Sequence, residues 1–163
     1  MSSRDNIHHL LQQGYRYAFS LSHNPARAED LVQDAWLSIL KSHAPHNAPY
    51  LFTVIRNHFL NELKREKIIP LLAIDEASTE QALIDSENDF SQILANSDQL
   101  EKALVQLRSI ERETIYLYYI EEYSTSEIAN LTELSKGAVC SLIHRARIKL
   151  KDILIKNESR VAL

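Results

Sequence analysis

The stretch STSEIANLTELSKGAVCSLIHRARIKL, from Ser124 to Leu150, has the pattern of two helices separated by a short turn. Ser124 and Glu127 are spaced as a capping box, in which each side chain bonds the other residue's backbone N–H at the start of a helix. Ser135 stands where it can cap a second helix. The apolar residues of that helix recur every three or four positions, as a buried side requires: Val139, Ile143, Ala146 and Leu150. The stretch therefore predicts a helix-turn-helix, the motif whose second helix enters the DNA major groove.

The second helix of this motif is rich in basic residues, which suit salt-dependent contacts with phosphates. They are Lys136, His144, Arg145, Arg147, Lys149 and Lys151. We expect them to form an exposed basic surface. A helix-turn-helix also serves as a protein-binding module, so this stretch favours DNA without excluding a protein partner.

The composition of the whole chain indicates an all-α protein. Its 163 residues are 45% hydrophobic and include only 2 Gly and 4 Pro, while residues that favour helix are frequent. The longest apolar run, 68–74, is interrupted by Pro70 and is too short to span a bilayer, and no basic-then-apolar signal opens the chain. We therefore expect a cytoplasmic protein that does not insert into membranes.

The histidines and the cysteine give no ligand set for a metal. Cys140 is the single cysteine, which excludes an internal disulfide. His43 and His46 have no cysteine or acidic ligand near them in the sequence, so a zinc site is not expected. We expect no metal and no cofactor, and we expect the thiol of Cys140 to be accessible at an exposed helix position.

Charge is distributed unevenly along the chain. Residues 1–67 carry 8 basic and 6 acidic side chains, residues 68–98 carry 0 and 7, and residues 99–163 carry 10 and 9. Two near-neutral or mildly basic modules are therefore joined by an acidic linker. Such a linker is either solvated or occupies a basic channel of a partner, and the charges leave both interpretations open.

In the first module, a helix is predicted from Pro25, with Asn24 as its N-cap. One side is a buried stripe: Ala28, Leu31, Val32, Ala35, Trp36 and Ile39. The opposite side is a polar and acidic row that ends in an exposed leucine: Asp30, Gln33, Asp34 and Leu37. This row suits docking against a protein, although a solvated surface has the same spacing.

The next helix, predicted from Pro49, has an apolar side and a polar, cationic side without acids. The apolar side consists of Leu51, Ile55, Phe59 and Leu63. The cationic side consists of Thr53, Arg56, Asn57, Asn61, Lys64 and Arg65. Amides and hydroxyls can bond base edges and cations can neutralise phosphates, so single-stranded or duplex nucleic acid is a suitable partner. An ordinary solvent-exposed side remains the alternative.

Four blocks of sequence occur in this order along nearly the whole chain: RAEDLVQDAWL, YLFTVIRNHFLNELKRE, LVQLRSIERETIYLYYIEEYSTSEIA and SKGAVCSLIHRARIKL. Together they resemble the extracytoplasmic-function (ECF) group of bacterial RNA polymerase sigma factors. The resemblance implies two small helical domains joined by the acidic linker. Residues 1–67 would form the region 2 helical bundle, 68–98 the linker, 99–157 the region 4 helix-turn-helix domain and 158–163 a tail.

The resemblance implies a dissociable subunit that directs core RNA polymerase to promoters, and not an enzyme, since catalysis belongs to the core. Its expected partners are promoter DNA, the clamp and flap regions of the core, and an anti-sigma factor. Residues expected to dock on the clamp are Asp30, Gln33, Asp34 and Leu37. Residues expected to read the −10 element, with the loop 42–48 that receives a flipped base, are Thr53, Arg56, Asn57, Asn61, Lys64 and Arg65. Residues expected to contact the −35 element are Lys136, Ser141, His144, Arg145 and Arg147.

The last helix departs from the pattern GTVKSRLHRAR that is common in this family. A hydroxyl and two cations are replaced by Ala138, Cys140 and Leu142. Each lost bidentate base contact forgoes roughly 1–3 kcal/mol of discrimination, so we expect weak or shape-dependent −35 recognition. Leu142 either touches a thymine methyl or is covered by an inhibitory partner. Glu133 stands where the family often has glycine, and glutamate disfavours a positive φ.

Two other functions would use the same sequence features. An autonomous transcriptional regulator would bind duplex DNA without polymerase, whereas the block EDLVQDAW favours a sigma factor. A degenerate sigma-like protein would sequester polymerase or an anti-sigma factor. The apolar residues of the last helix favour that alternative, while the retained Arg56, Asn57 and Arg145 count against it.

Overall fold

The computed structural model of the chain describes residues 2–66 and 97–161, and every regular element within them is a helix. The chain divides into two compact units, residues 1–73 and 74–163. The predicted all-α class is confirmed, whereas the predicted acidic linker lies outside the described residues except for its last two positions. None of the described helices is long and apolar enough to cross a membrane.

The first unit contains a bundle of three helices, each in contact with the other two. They are α1 (Ser3–Ser22), α2 (Pro25–Ser42) and α3 (Ala48–Arg65). Tyr17 of α1 and Phe52 of α3 are fully buried, and their rings stack with centroids 4.4 Å apart. Gly14 allows the close approach of these helices, because a Cβ there would lie 2.8 Å from Cδ2 of Leu51.

Asparagine side chains cap two of these helices. Asn24 accepts a hydrogen bond from the backbone N–H of Arg27 at 3.0 Å, and proline occupies the first position of α2, as predicted. Asn47 accepts from the N–H of Tyr50 at 2.9 Å, so α3 begins one residue before the predicted Pro49. Each cap satisfies a backbone donor that the helix itself cannot bond.

The second unit is built on one long helix. Its elements are α4 (Ser97–Leu104), α5 (Ser109–Ile115), a π-helical segment (Tyr116–Ile120), α6 (Thr125–Thr132) and α7 (Lys136–Val161). Helices α4, α5 and α6 all pack against α7. Ser124 and Glu127 form the predicted capping box at the start of α6, and Ser135 accepts from the N–H of Ala138 at 3.1 Å at the start of α7. The predicted helix-turn-helix is therefore formed by α6 and α7.

The π-helical segment ends in a tight reversal. The N–H of Glu121 donates to the carbonyl of Tyr116 at 3.2 Å, and the N–H of Tyr123 donates to the carbonyl of Leu117 at 2.9 Å. Glu122 lies between these two residues and has φ 56°. This is the left-handed conformation in which glycine is most often found at helix ends. The reversal leads directly into α6.

A buried carboxylate joins α5 to α7. Glu111 is 1% exposed, and its Oε1 lies 2.9 Å from Nζ of Lys149 and 2.9 Å from Nε of Arg108. Burial acts to raise the pKa of Glu111, but the hydrogen bonds from Lys149 and Arg108 outweigh it, and the pKa lies below its ordinary value of 4.5. The carboxylate is thus ionised where it fixes α7.

Candidate protein-docking and nucleic-acid interfaces

The α2 docking row (Asp30, Gln33, Asp34 and Leu37) is exposed, while α2 buries its other side in the bundle. Leu37 is 52% exposed, and Leu40, three residues further along the same helix, is 44% exposed. Leu40 was not among the residues predicted for this surface, although its three-residue spacing from Leu37 places it on a neighbouring part of the helix. Carboxylates beside exposed leucines suit a partner surface that is basic and partly apolar.

Trp36 is half-buried, so its predicted place in the core of α2 is wrong. It follows the fully buried Ala35 by about 100° around the helix, which brings it to the edge of the buried side. Its ring instead meets the ring of His46, with centroids 4.9 Å apart. This contact holds the loop between α2 and α3 against α2.

The α3 polar side carries the six residues predicted to read the −10 element. Arg56 is half-buried, and the other five are exposed: Thr53, Asn57, Asn61, Lys64 and Arg65. The hydroxyl of Thr53 donates to the carbonyl of Pro49 at 2.9 Å, which leaves its oxygen free to accept a bond from outside. The surface therefore offers amide donors and acceptors next to cations.

Arg27 of α2 pairs with one carboxylate of α3 and with the carboxylate of the residue that follows α3. Its Nε lies 2.9 Å from Oε2 of Glu62, and its Nη2 lies 3.5 Å from Oε1 of Glu66. The guanidinium also lies 5.2 Å from the ring centroid of Phe59. Arg27 offsets one of these two negative charges, so that together with Lys64 and Arg65 the end of α3 carries a small net positive charge.

The start of α7 is more buried than its basic sequence predicts. Lys136 is exposed, and His144 and Arg145 are half-buried. Ser141 is only 2% exposed and Arg147 only 4% exposed. The predicted exposed basic surface is therefore wrong at Arg147, and the roles of these five residues toward DNA remain predictions.

Arg147 is held by two tyrosines of the π-helical segment. Its Nε donates to the hydroxyl of Tyr119. The guanidinium lies 5.4 Å from the ring centroid of Tyr119 and 6.0 Å from that of Tyr118, and the two rings meet edge to face. Such cation–π contacts hold the guanidinium against the two tyrosine rings, which explains why Arg147 is buried. Tyr119 stands 28 residues earlier in the chain, so spacing along α7 gave no signal for this pairing.

Within residues 2–66 and 97–161, no three His, Cys, Asp or Glu side chains are grouped so that they could hold a metal ion. Cys140 is 2% exposed, so the predicted access to its thiol is wrong.

Two family models match separate parts of the chain. The model described as Sigma-70 region 2 matches residues 7–68, which include the α2 docking row and the α3 polar side. The model described as Sigma-70, region 4 matches residues 97–150, which include the helix-turn-helix. The two matches follow the order in which the two units occur.

Relatives and a solved structure agree with these matches. RNA polymerase sigma factor YlaC of Bacillus subtilis is 27% identical over 96% of this chain and 96% of its own length. ECF RNA polymerase sigma factor SigL of Mycobacterium tuberculosis is 30% identical over 81% of this chain and 77% of its own length. The sigma factor RpoE of Bartonella quintana, solved in complex with the anti-sigma factor NepR, has a similar fold, with a TM-score of 0.67 and 24% identity over 93% of this chain and 95% of that one. The chain therefore belongs to the ECF group of RNA polymerase sigma factors.

Proposed function

We propose that this chain binds core RNA polymerase and directs it to promoters by recognising −10 and −35 elements and by melting the promoter. The observation that carries the proposal is the presence of two chemically different surfaces on one three-helix bundle: the acidic and apolar α2 docking row, and the cationic α3 polar side. The sigma factors among its relatives support the same function. RNA synthesis belongs to the core, so the chain needs no catalytic step of its own, and it would act in the cytoplasm with the polymerase.

Docking on the polymerase clamp is assigned to the α2 docking row. Leu37 supplies an apolar contact of the kind that gives an interface most of its affinity. Asp30 and Asp34 flank it and would meet basic groups of the clamp, which speeds encounter and fixes orientation. The region 4 unit would make the second contact, with the flap.

Recognition of the −10 element is assigned to the α3 polar side. Asn57 and Asn61 are exposed four residues apart, so their amides lie one above the other on the helix surface and can bond the edges of an unstacked base. Lys64 and Arg65 would neutralise phosphates of the opened strand. The loop that the Trp36–His46 contact holds would complete the pocket for the flipped base.

Recognition of the −35 element is assigned to α7. Lys136 would contact phosphate, and the base-reading residues would be Ser141, His144 and Arg145, with Arg147 behind them. Ala138, Cys140 and Leu142 cannot make the bidentate contacts that distinguish bases. The −35 contribution to promoter choice should therefore be small beside that of the −10 element. An anti-sigma factor that covers these surfaces is the expected inhibitory partner, like the one bound to the RpoE of Bartonella quintana.

The test is transcription of fragmented genomic DNA from the source organism by its core polymerase, with and without this chain, followed by mapping of RNA 5′ ends. New ends that share two spaced upstream motifs would support the proposal. Binding to the core without new ends would favour the sequestering alternative, and tight binding of duplex DNA in the absence of polymerase would favour an autonomous regulator.

A further inference from the structure

A cavity of about 420 Å³ lies between the first half of α1 and the loop that joins α2 to α3. Its volume is within the range of pockets that bind small ligands. Its lining includes the polar Asn6, His9, Gln13 and His46 and the apolar Ile7 and Leu10. Apart from His46, which belongs to the loop, none of these residues was assigned above to polymerase or to DNA. The cavity is therefore a site that the proposed function does not use.

The residues around the cavity suit a neutral, planar ligand with hydrogen-bonding groups on its edge. No Asp, Glu, Lys or Arg is among the described residues that line it. The amide of Asn6 can donate and accept at the same time, as the edge of a base requires. The rings of His9 and His46 can stack on the face of a base, and Ile7 and Leu10 add apolar contact. An unpaired base offers such an edge and such faces, whereas a base in a duplex has its edge paired and its faces stacked.

His46 is the loop's contribution to the cavity, and two contacts fix its position. Its ring meets the ring of Trp36 of α2, with centroids 4.9 Å apart. The next residue, Asn47, caps α3 by accepting from the backbone N–H of Tyr50 at 2.9 Å. The loop side of the cavity is therefore ordered before a ligand arrives, which lowers the entropy that binding costs.

The loop connects this cavity to the −10 interface. In the proposed function, the loop 42–48 receives a flipped base and α3 reads the strand, whereas the cavity is built on α1 and shares only His46 with the loop. We propose that the cavity is a second base-binding site, which takes the unpaired base next to the one that the loop receives. This inference deepens the proposed function and rests on it for the identity of the strand. The class of ligand, an unpaired base of single-stranded DNA, follows from the lining residues.

Two consecutive histidines of α1 provide a matched pair for the test. His8 and His9 are both exposed and lie about 100° apart around the helix. His9 lines the cavity, while His8 does not, and its Nε2 lies 3.3 Å from Nε2 of Gln12. His9→Ala and His8→Ala therefore remove the same ring from the same helix, inside and outside the cavity. Because both positions are exposed, both variants should remain folded, which circular dichroism checks.

The first measurement is the fluorescence anisotropy of a short labelled single-stranded DNA of random sequence, titrated with the full chain at low salt. We expect His9→Ala to raise the Kd at least about fivefold, as the loss of one stacked base predicts, and His8→Ala to change it less than about twofold. His9→Phe keeps an aromatic ring and should restore most of the affinity. Equal effects of the two alanine variants, or no binding of single-stranded DNA by the wild type, would overturn the proposal.

The second measurement locates the site on the strand. Single abasic positions are introduced into the non-template strand of a promoter mapped as above, and binding to the chain on core polymerase is measured. The loss of affinity from one abasic position should disappear in His9→Ala and in Asn6→Ala, because the contact is already absent. That position should adjoin the one whose loss disappears in Asn57→Ala. A loss that persists at every position in His9→Ala would count against the site.

The two measurements separate failure of this inference from failure of the proposed function. If no promoter is found, the proposed function fails, and the random single-stranded DNA still decides whether the cavity binds bases. If transcription is promoter-specific while His9→Ala and His8→Ala bind single-stranded DNA equally, only the second base-binding site is rejected.

Discussion

Nζ of Lys149 lies 2.9 Å from the carboxylate of Glu111, although 38 positions separate the two residues in the chain. The carboxylate is almost completely buried and also receives Nε of Arg108 at 2.9 Å. One ionised group therefore fixes the middle of α7 to the start of α5.

We expect Glu111→Gln to lower the free energy of unfolding at neutral pH by about 2 kcal/mol, because it leaves Lys149 and Arg108 without their anion; the exposure of Lys149 keeps the loss below that of a fully buried pair. The pKa of Glu111 in the folded chain lies below its ordinary value of 4.5. The stability that the ionised Glu111 provides is therefore present above pH 4.5 and is lost as the pH falls below that value. Urea unfolding of wild type and variant should give stabilities that converge in acid.

Glu101→Gln, at an exposed position of α4, is the matched control for this titration. Because its side chain is exposed, this substitution should change the free energy of unfolding by less than about 0.5 kcal/mol. A stability difference for Glu111→Gln that stays constant from neutral pH into acid would contradict the assignment of an ionised Glu111.

Local features of the fold could be predicted from the sequence, and features that depend on distant residues could not. Asn24 and the Ser124–Glu127 capping box were predicted correctly because a cap involves residues only three positions apart. The surroundings of Arg147 were not, because its partners Tyr118 and Tyr119 come from another element. Among the candidate sites, the α2 docking row is exposed as predicted, since its spacing alone sets its side of the helix. The burial of Ser141 was not predicted, because the spacing of apolar residues along α7 does not indicate it.

The turn of the helix-turn-helix contains a strained glutamate. Glu133 has φ 58° and ψ 25°, in the left-handed region that costs a residue with a Cβ roughly 1–2 kcal/mol. Glycine has no such cost in the folded state but loses more chain entropy on folding. We therefore expect Glu133→Gly to stabilise the C-terminal unit by about 0.5–1 kcal/mol in urea unfolding. Glu133→Ala keeps the Cβ and should give no such gain, and equal effects of the two substitutions would argue against strain.

Tyr123 should ionise unusually late. Burial, with Glu121 and Glu127 nearby, raises the pKa of Tyr123 to about 12, from an ordinary value of 10.0. The raised pKa means that its contribution to stability is complete below pH 10 and is lost as the pH rises toward 12. In a tyrosinate absorbance titration, the step that Tyr123→Phe removes should lie near pH 12 in the folded chain. In urea the same step should move to about 10, and a Tyr123 step that already lies at that ordinary value in the folded chain would refute the assignment.

Leu37→Ala should weaken polymerase binding clearly while changing the stability of the bundle little. Leu37 is 52% exposed, so Leu37→Ala should change the stability of the bundle little. At the proposed interface it should raise the Kd for core polymerase about five- to tenfold, measured by fluorescence anisotropy of labelled protein. Asp34→Ala should weaken binding mainly through a slower association rate that depends on salt. Val105→Ala, which shortens a similarly exposed residue of the other unit, is the control, and equal losses for Leu37 and Val105 would place the docking surface elsewhere.

Arg145 is the α7 cation best placed to separate DNA reading from folding, because it is only half-buried while Arg147 is enclosed by tyrosines. Arg145→Ala should reduce transcription from a mapped promoter about five- to tenfold, as the loss of one base or phosphate contact predicts. Binding to core polymerase should stay unchanged, because the docking row lies on another unit. Arg160→Ala, at an exposed position near the end of α7, removes the same charge and should leave both activities intact. If Arg145→Ala weakened core binding and transcription equally, its side chain would have a structural role, and −35 reading would rest on His144 and Ser141.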